Sequence, residues 1–372
     1  MIKKIICPLL FLVCLLISCK DKKIIKQEES NLEYATRFNI NRKDTYTELI
    51  VYNPWQGGEI LKRYYLVKDA MTLVPEDGIK VKIPVSEIVV NSATYLGFIN
   101  ELKELSRIVG VCNSNYIYSP YILDRIEKGE VLDLGDSFNL DIEKLLLLQP
   151  DLIMTPAYSS DEQSKKLQDL GIPVVYNLEW QESSLLGRAE WIKFIGAFFD
   201  KDSLATAIFN SVVTAYSESK KILEGVKESP KVMIGQDYRG TWTMPTGKSF
   251  NGQLLKDAKA NYFYANDTLH TGSISTTIEE ALINFHDAQY WFYAQANSKR
   301  ELIDTDKKYK LFYAYQSDNI YNTNQRANSL GGNDYWEEGV IRPDFILKDI
   351  IKVLHPEKLP DYQLRYFKKL EE

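Results

Sequence analysis

Histidine and cysteine are scarce in this chain of 372 residues, which has three of the first and four of the second. His270, His286 and His355 stand at no ligand spacing, and Cys112 is the only cysteine after residue 19. A protein cage for a bare metal ion is therefore not expected, and neither is a disulfide within the folded part. Also missing are G-x-S-x-G, H-E-x-x-H and any recognisable Ser, His and Asp set. Gly247-Lys248-Ser249 is not a phosphate loop, because Trp242 stands where the first glycine of that motif belongs. Positive charge is in short supply too: the net charge is −6, which argues against a nucleic-acid partner.

Long apolar runs are absent except for one, Ile5 to Ile17, behind Lys3-Lys4 and ahead of Ser18-Cys19. A run so short and so placed reads as a secretory signal over residues 1–18, not a spanning helix. Leu16-Ile17-Ser18-Cys19 resembles a bacterial lipobox, in which the cysteine carries the lipid and becomes the new N-terminus. Residues 19–33, beginning CKDKKIIKQEES, then form a polar tether between Cys19 and the fold. Cleavage would leave 43 basic against 51 acidic residues, a net charge of −8.

What is present is an ordinary globular composition, 45% apolar and 26% charged, with 24 tyrosines against 15 phenylalanines. The organising stretch is Ser203 to Glu224. Leu204, Ile208, Val212, Ala215, Tyr216, Ser219, Ile222 and Leu223 recur at helical spacing, Asp202 is the expected N-cap, and Gly225 and Pro230 end the helix. Such a helix spans about 30 Å. It reads as a stiff spine between two halves, the alternative being one more core helix in a single domain.

Each half alternates strands with helices, the pattern of a largely parallel sheet covered on both faces. The spacing predicts strands at 87–90, 107–111, 131–134, 152–155 and 174–176, with helices at 94–105, 119–128, 142–148 and 162–170 between them. Helix 187–200 leads into the spine. After it come strands at 231–235, 262–264, 289–294 and 319–321 and helices at 252–256, 278–284 and 343–354. Ahead of the first half, alternation at Tyr46–Val51 and Lys62–Val67 around Asn53-Pro54-Trp55-Gln56-Gly57-Gly58 predicts a β-hairpin. The fold class is α/β, with an N-terminal lobe and hairpin at 34–187, connecting helices at 188–229 and a C-terminal lobe at 230–372.

A repeat ties the halves together. Ile142-Glu143 is followed by Leu146 and Asp151, and Ile278-Glu279 by Leu282 and Asp287, the Asp in each case just before a strand. A carboxylate in a helix's first turn is favoured by the helix dipole. That explains each Glu, but not the shared register.

On these residues the chain resembles the substrate-binding proteins of ABC importers for ferric siderophores, haem and cobalamin, in the class with two α/β lobes joined by one long helix. The first-lobe motif of that family is matched from Glu143 to Ile153, followed by Gly171-Ile172-Pro173-Val174-Val175, and the second-lobe counterpart from Ile278 to Trp291. The resemblance covers roughly residues 81–356 and is nearest to lipid-anchored members from the Bacteroidetes. It implies that one Glu per lobe, Glu143 and Glu279 by motif position, engages arginines of a permease in the inner membrane. It also implies a lipoprotein of a Gram-negative cell envelope, held in the bilayer through Cys19 and facing the periplasm or the cell surface, with no resident cofactor.

Ligands of open α/β sheets bind beyond the carboxyl ends of the strands. The loops there are rich in aromatic and amide groups: Tyr95, Tyr116, Tyr118 and Tyr158 in the first lobe, Tyr238, Arg239, Trp242, Asn333, Tyr335 and Trp336 in the second. Tyr and Trp supply stacking area with polar tips, which suits a large chelate, and Arg239 suits an anionic one. A ferric siderophore is the first expectation, with cobalamin or haem behind it. Two alternatives remain: a surface lipoprotein that hands its ligand to an outer-membrane transporter, and a secreted hydrolase with paired carboxylates, for which Glu337-Glu338 near Arg342 is the pair to watch.

Overall fold

The computed structural model of the chain describes residues 32–158, 162–267, 269–270 and 272–372. The apolar leader and Cys19, on which the expectation of a lipid anchor rests, lie outside the described residues.

Strands β1 (Phe38–Arg42), β2 (Thr47–Tyr52), β3 (Ile60–Val67) and β4 (Ile79–Lys82) form one sheet in that order. The expected hairpin is its inner pair, antiparallel, with Leu49 opposite Tyr64 and Val51 opposite Lys62. The extension is thus larger than a hairpin: β1 adds antiparallel on one side and β4 parallel on the other. Phe38 and Tyr64 seat it on the connecting helices, their rings packing against Trp191, Phe194 and Phe198.

The N-terminal lobe follows as β5 (Ile88–Val90), α1 (Thr94–Glu101), β6 (Ile108–Val111), α2 (Pro120–Glu127), β7 (Leu132–Asp133), a small hairpin of β8 (Gly135–Asp136) and β9 (Asn139–Leu140), α3 (Ile142–Leu148), β10 (Leu152–Thr155), α4 (Glu162–Asp169) and β11 (Val174–Tyr176). Its sheet is wholly parallel, in the order β11-β10-β5-β6-β7. The runs Ile88–Val90, Leu152–Thr155 and Val174–Tyr176 are buried at every position, as strands covered on both faces must be.

Two connecting helices come next. α5 (Leu185–Phe198) is buried almost all round, and α6 (Asp202–Lys221), the spine, has 20 residues and so spans about 30 Å. One detail differs from expectation. Lys201 precedes α6 without a side-chain cap, and Asp202 opens its first turn with the carboxylate 2.5 Å from Arg42 of β1. An ion pair to the added sheet has taken the side chain that would otherwise cap the helix. Ala205, Phe209, Val212, Tyr216 and Ser219 form the buried stripe of α6. At Gly196 of α5 a Cβ would stand 2.7 Å from the Cβ of Ala205, so glycine is what lets the two helices approach.

The C-terminal lobe comprises β12 (Lys231–Ile234), β13 (Asp237–Tyr238), β14 (Thr241–Pro245), α7 (Phe250–Asp257), β15 (Asn261–Tyr262), β16 (Ser273–Thr276), α8 (Ile278–Phe285), β17 (Tyr290–Phe292), α9 (Lys299–Thr305), α10 (Tyr313–Gln316), β18 (Ile320–Asn322), α11 (Asp334–Ile341), α12 (Pro343–Leu354) and β19 (Lys368–Lys369). Its main sheet runs β15-β12-β17-β18-β19, parallel except for β19. A small antiparallel sheet, β13-β14-β16, has no counterpart among the sequence expectations. α6 packs on α5 and on α12 of the C-terminal lobe, and Lys201 at its start pairs with Glu104 and donates to Leu102 O of the N-terminal lobe, so the spine touches both lobes.

The lobes also meet along a seam away from the spine. α1 of the first lobe lies on α11 of the second so closely that a Cβ at Gly97 would stand 2.1 Å from the carbonyl oxygen of Glu337. The carboxylate of Glu337 accepts the backbone N–H groups of Tyr118 and Ser119, at the start of α2. Asn328 donates through Nδ2 to the carbonyl of Ile117 at 2.8 Å.

Buried carboxylates fasten the chain's entry into the fold. Glu190 on α5 accepts the N–H groups of Glu33, Tyr34 and Ala35, and Glu182 accepts those of Thr36 and Arg37 together with Trp191 Nε1. The segment 33–37 is thereby fixed to α5 and to the turn that precedes it.

Candidate functional site

In a doubly wound sheet the crevice for a ligand opens where the strand order reverses. In the first lobe that point lies between β5 and β10. Asn91, just after β5, donates through Nδ2 to Thr155 Oγ1 at 2.9 Å, and the two residues line a cavity of about 260 Å³ with Phe138, Tyr158 and Gln163. Asn91 Oδ1 and Gln163 Nε2 are buried without a hydrogen-bond partner among the described residues, one acceptor and one donor left over at the cavity. The matching point of the second lobe, between β12 and β17, is plugged. Trp242 lies under it with Nε1 donating to Ile234 O at 2.9 Å, its ring against Trp291, Tyr309 and Phe312.

Trp242 is therefore a packing residue, a correction to its expected place in the ligand wall. Tyr95 and Tyr335 are corrected likewise. The Tyr95 hydroxyl donates to Asn177 O inside the first lobe, and that of Tyr335 shares a hydrogen bond with Tyr293 at 3.0 Å inside the second. Burial pushes the phenol of Tyr95 well above its ordinary range. Asn333 serves the backbone, capping α11 through Tyr335 N and donating to Thr323 O. Trp336 is half exposed on α11, its ring edge-on to that of Tyr335. Tyr118 belongs to the seam, under the guanidinium of Arg326 and beside a 270 Å³ hollow walled by Asp334 and Glu337. Tyr116 is exposed on the loop after β6, facing Gly331 across the seam at 4.0 Å from where a Cβ would be. Tyr238 and Arg239 form the exposed tip of the β13–β14 hairpin, the guanidinium 5.1 Å above the phenol ring. Arg239 and Gly240 both have positive φ, +54° and +84°, as a two-residue hairpin turn of this hand requires.

Tyr158 proves to be the centre of an aromatic row. Its ring lies 5.2 Å from Phe138 on one side and 6.0 Å from Trp180 on the other, tilted by 39° to each, and all three rings are substantially exposed. Phe138 and Trp180 were not among the expected site residues. Phe138 sits in the β8–β9 turn and Trp180 in the loop after β11, and an exposed aromatic in a turn beyond a strand end is the signal that could have found them.

From Trp180 the surface runs into a cavity of about 800 Å³ between the lobes, with Arg37 and Ser184 on one side and Lys248, Phe250 and Gln253 on the other. Glu182 also borders it, but that carboxylate is engaged by Thr36, Arg37 and Trp191. Lys248 has no ion-pair partner among the described residues. Arg188 is buried in an ion pair with Glu179 at 2.7 Å, its guanidinium 4.8 Å above the ring of Phe250, which lines the cavity. The charge left free around this cavity is positive, so it favours an anion.

Glu143 and Glu279 are exposed in the first turns of α3 and α8, behind the N-caps Asp141 and Thr277. Glu279 accepts from Lys308 Nζ at 2.7 Å, which holds its carboxyl below the usual range. The two repeat aspartates also do equivalent work. Asp151 accepts the N–H groups of Ser86 and Glu87 at the start of β5, and Asp287 pairs with Lys231 at the start of β12.

The carboxylates watched as a hydrolytic pair are differently employed. Both lie on α11. Glu337 is buried at the seam, where desolvation raises its carboxyl to about 8 against the pull of two backbone N–H groups; Glu338 pairs with Arg365 and Tyr366, and Arg342 with Asp344. His270 pairs with Asp267, His286 closes α8 and His355 is buried beside Ala258 O. Burial raises the Cys112 thiol to about 12, leaving it inert. Among the described residues no group of three or more His, Cys, Asp or Glu is placed to hold a metal ion.

Three comparisons bear on this geometry. The chain is 25% identical over 370 residues to an uncharacterized lipoprotein of Methanocaldococcus jannaschii, covering 91% of this chain and 85% of that one. A possible iron-binding periplasmic solute-binding protein of Staphylococcus epidermidis has a similar structure, with a TM-score of 0.56, 18% identity and coverage of 73% of this chain and 99% of that one. A periplasmic haem-binding protein of Pseudomonas aeruginosa also has a TM-score of 0.56, at 14% identity, over 73% of this chain and 93% of its own. The family model for periplasmic binding proteins matches residues 88–327, from β5 of one lobe into the loop after β18 of the other. With two α/β lobes on a helical spine and a cleft between them, this chain belongs to the periplasmic binding protein family, in its class III form, and is a solute-binding protein rather than an enzyme.

Proposed function

We propose that this protein is the lipid-anchored solute-binding component of an ABC importer and that its ligand is an anionic iron chelate, a ferric siderophore. The observation that carries the ligand class is the pairing of an aromatic row, Phe138–Tyr158–Trp180, with a cavity whose free charge is positive, at Lys248 on one side and Arg37 on the other. Conjugated chelates stack on such rings, and anionic ones gain from the basic groups that line the cavity. Iron would arrive already chelated. Haem is the second reading, favoured by the aromatic area of the row; cobalamin, without a comparable anionic edge, is third. In this reading Cys19 holds the chain in the bilayer, Glu143 and Glu279 meet the permease, and the lobes divide at 34–187 and 230–372 about connecting helices at 188–229.

Titrating the soluble chain from Asp21 with ferric siderophores, haem and cobalamin, read by tryptophan quenching and ligand absorption, tests this. Saturable binding of one iron chelate is expected, and Trp180→Ala should weaken it about three- to tenfold, the range for one aromatic contact. Binding of cobalamin alone would overturn the anionic-chelate reading. Binding of none would overturn the whole of it.

A further inference from the structure

α3 and α8 occupy the same place in their lobes and carry the same register: N-cap at Asp141 or Thr277, exposed Glu two residues on, buried Leu145 or Ala281 two residues after that. One turn beyond each Glu stands a large apolar side chain directed to solvent. Leu147 is 81% exposed and Ile283 is 74% exposed, and neither is part of the packed core or its partly buried margin. Residues four apart share a helix face, so each lobe presents one carboxylate and one aliphatic side chain side by side. A single exposed leucine needs no explanation. The same pair at the same offset in two lobes, where neither aliphatic group packs against its own lobe, is a repeated surface feature.

We propose that Leu147 and Ile283 are the apolar anchors of the permease-docking surface, each seating in an apolar socket beside a cationic side chain of the partner. This rests on the reading of Glu143 and Glu279 as docking residues. The partner's chemistry follows from the surface: a carboxylate calls for a cation next to it, and an aliphatic group four residues on calls for a dry pocket one helical turn away. Because the motif occurs once per lobe, the partner offers its complement twice, as two like subunits do. The two halves are not electrostatically equal. Glu279 is already paired with Lys308, whereas Glu143 has no ion pair among the described residues. The C-terminal contact therefore depends more on its aliphatic group than the N-terminal one does.

The test is the affinity of the full, ligand-loaded chain for the ABC permease of its own organism, reconstituted in nanodiscs, at low and high salt. The variants are Leu147→Ser with Ile283→Ser, and Glu143→Ala with Glu279→Ala. All four side chains are exposed, so melting temperatures should stay at the wild-type value and report that the variants fold. The aliphatic double variant should bind at least about tenfold more weakly at both salt concentrations, and the glutamate variant mainly at low salt. Ile283→Ser alone should weaken binding more than Leu147→Ser alone. Wild-type affinity in the aliphatic variant, with binding lost in the glutamate variant, would overturn the anchors and leave the docking reading standing. Wild-type affinity in both, or no binding by the wild type, would overturn the docking reading and the anchors with it.

Discussion

Glu337 stands where a carboxylate is costly, buried between the lobes, yet it accepts two backbone N–H groups from the start of α2 and lies against Gly97 of α1. Desolvation lifts its carboxyl from an ordinary 4.5 to about 8, Asp334 adds to the lift and the two N–H groups oppose it; Arg326 and Arg365 are the nearby cations, paired with Asp334 and Glu338. A group whose folded value lies above its unfolded one binds more protons when folded, so stability falls as pH rises between the two values. Melting temperature should therefore drop between about pH 5 and pH 8, and Glu337→Gln should flatten that slope while keeping one acceptor for the N–H groups. An equal slope in the variant would sink the assignment. Residues of this kind were the least legible in the sequence. Tyr95 and Tyr335 lie in the first turns of α1 and α11 and Trp242 within β14, whereas Tyr158 lies in a loop, and only the packing of neighbours decides which ring turns inward. Trp242 turned in because β14 alternates buried and exposed positions, which places it under β12.

Helices and strands were far more legible, because their periods are imposed by one buried face. α3, α12, β10 and β11 begin and end where the apolar pattern and the caps put them. The outer strands of the first sheet and the β13-β14-β16 sheet escaped notice. Strands of two to five residues show too few alternations, and β14 ends in Pro245, which argues against a strand interior. Contacts between elements leave still less trace, and the seam of α1 on α11 depends on a single absent methyl at Gly97. Gly97→Ala would place a Cβ 2.1 Å from the Glu337 carbonyl oxygen, so the helices must part or a backbone must shift. Overpacking of this kind costs about 1–3 kcal/mol. The variant should melt at a lower temperature in calorimetry; an unchanged melting point would mean that the seam yields freely.

At the scale of the whole molecule, the spine and the seam act together. α6, about 30 Å long, packs on α12 of one lobe and is tied to Leu102 and Glu104 of the other through Lys201 at its start, and the seam ties Ile117 to Asn328 and α2 to Glu337 on another line. Two separated attachments resist hinging more than either alone, since a rotation that preserves one must stretch the other. The entry segment, held by Glu190 on α5 and by Glu182 just ahead of it, adds no joint between the lobes. Ligand loading should therefore change the shape little, with a radius of gyration from small-angle scattering that differs by less than about 1 Å between free and loaded protein. Glu337→Ala removes the acceptor for Tyr118 and Ser119 and should enlarge that difference, because the spine then carries the constraint by itself. A large contraction in the wild type would refute the stiff arrangement. A wild type and variant that both stay unchanged would assign the stiffness to the spine and not to the seam.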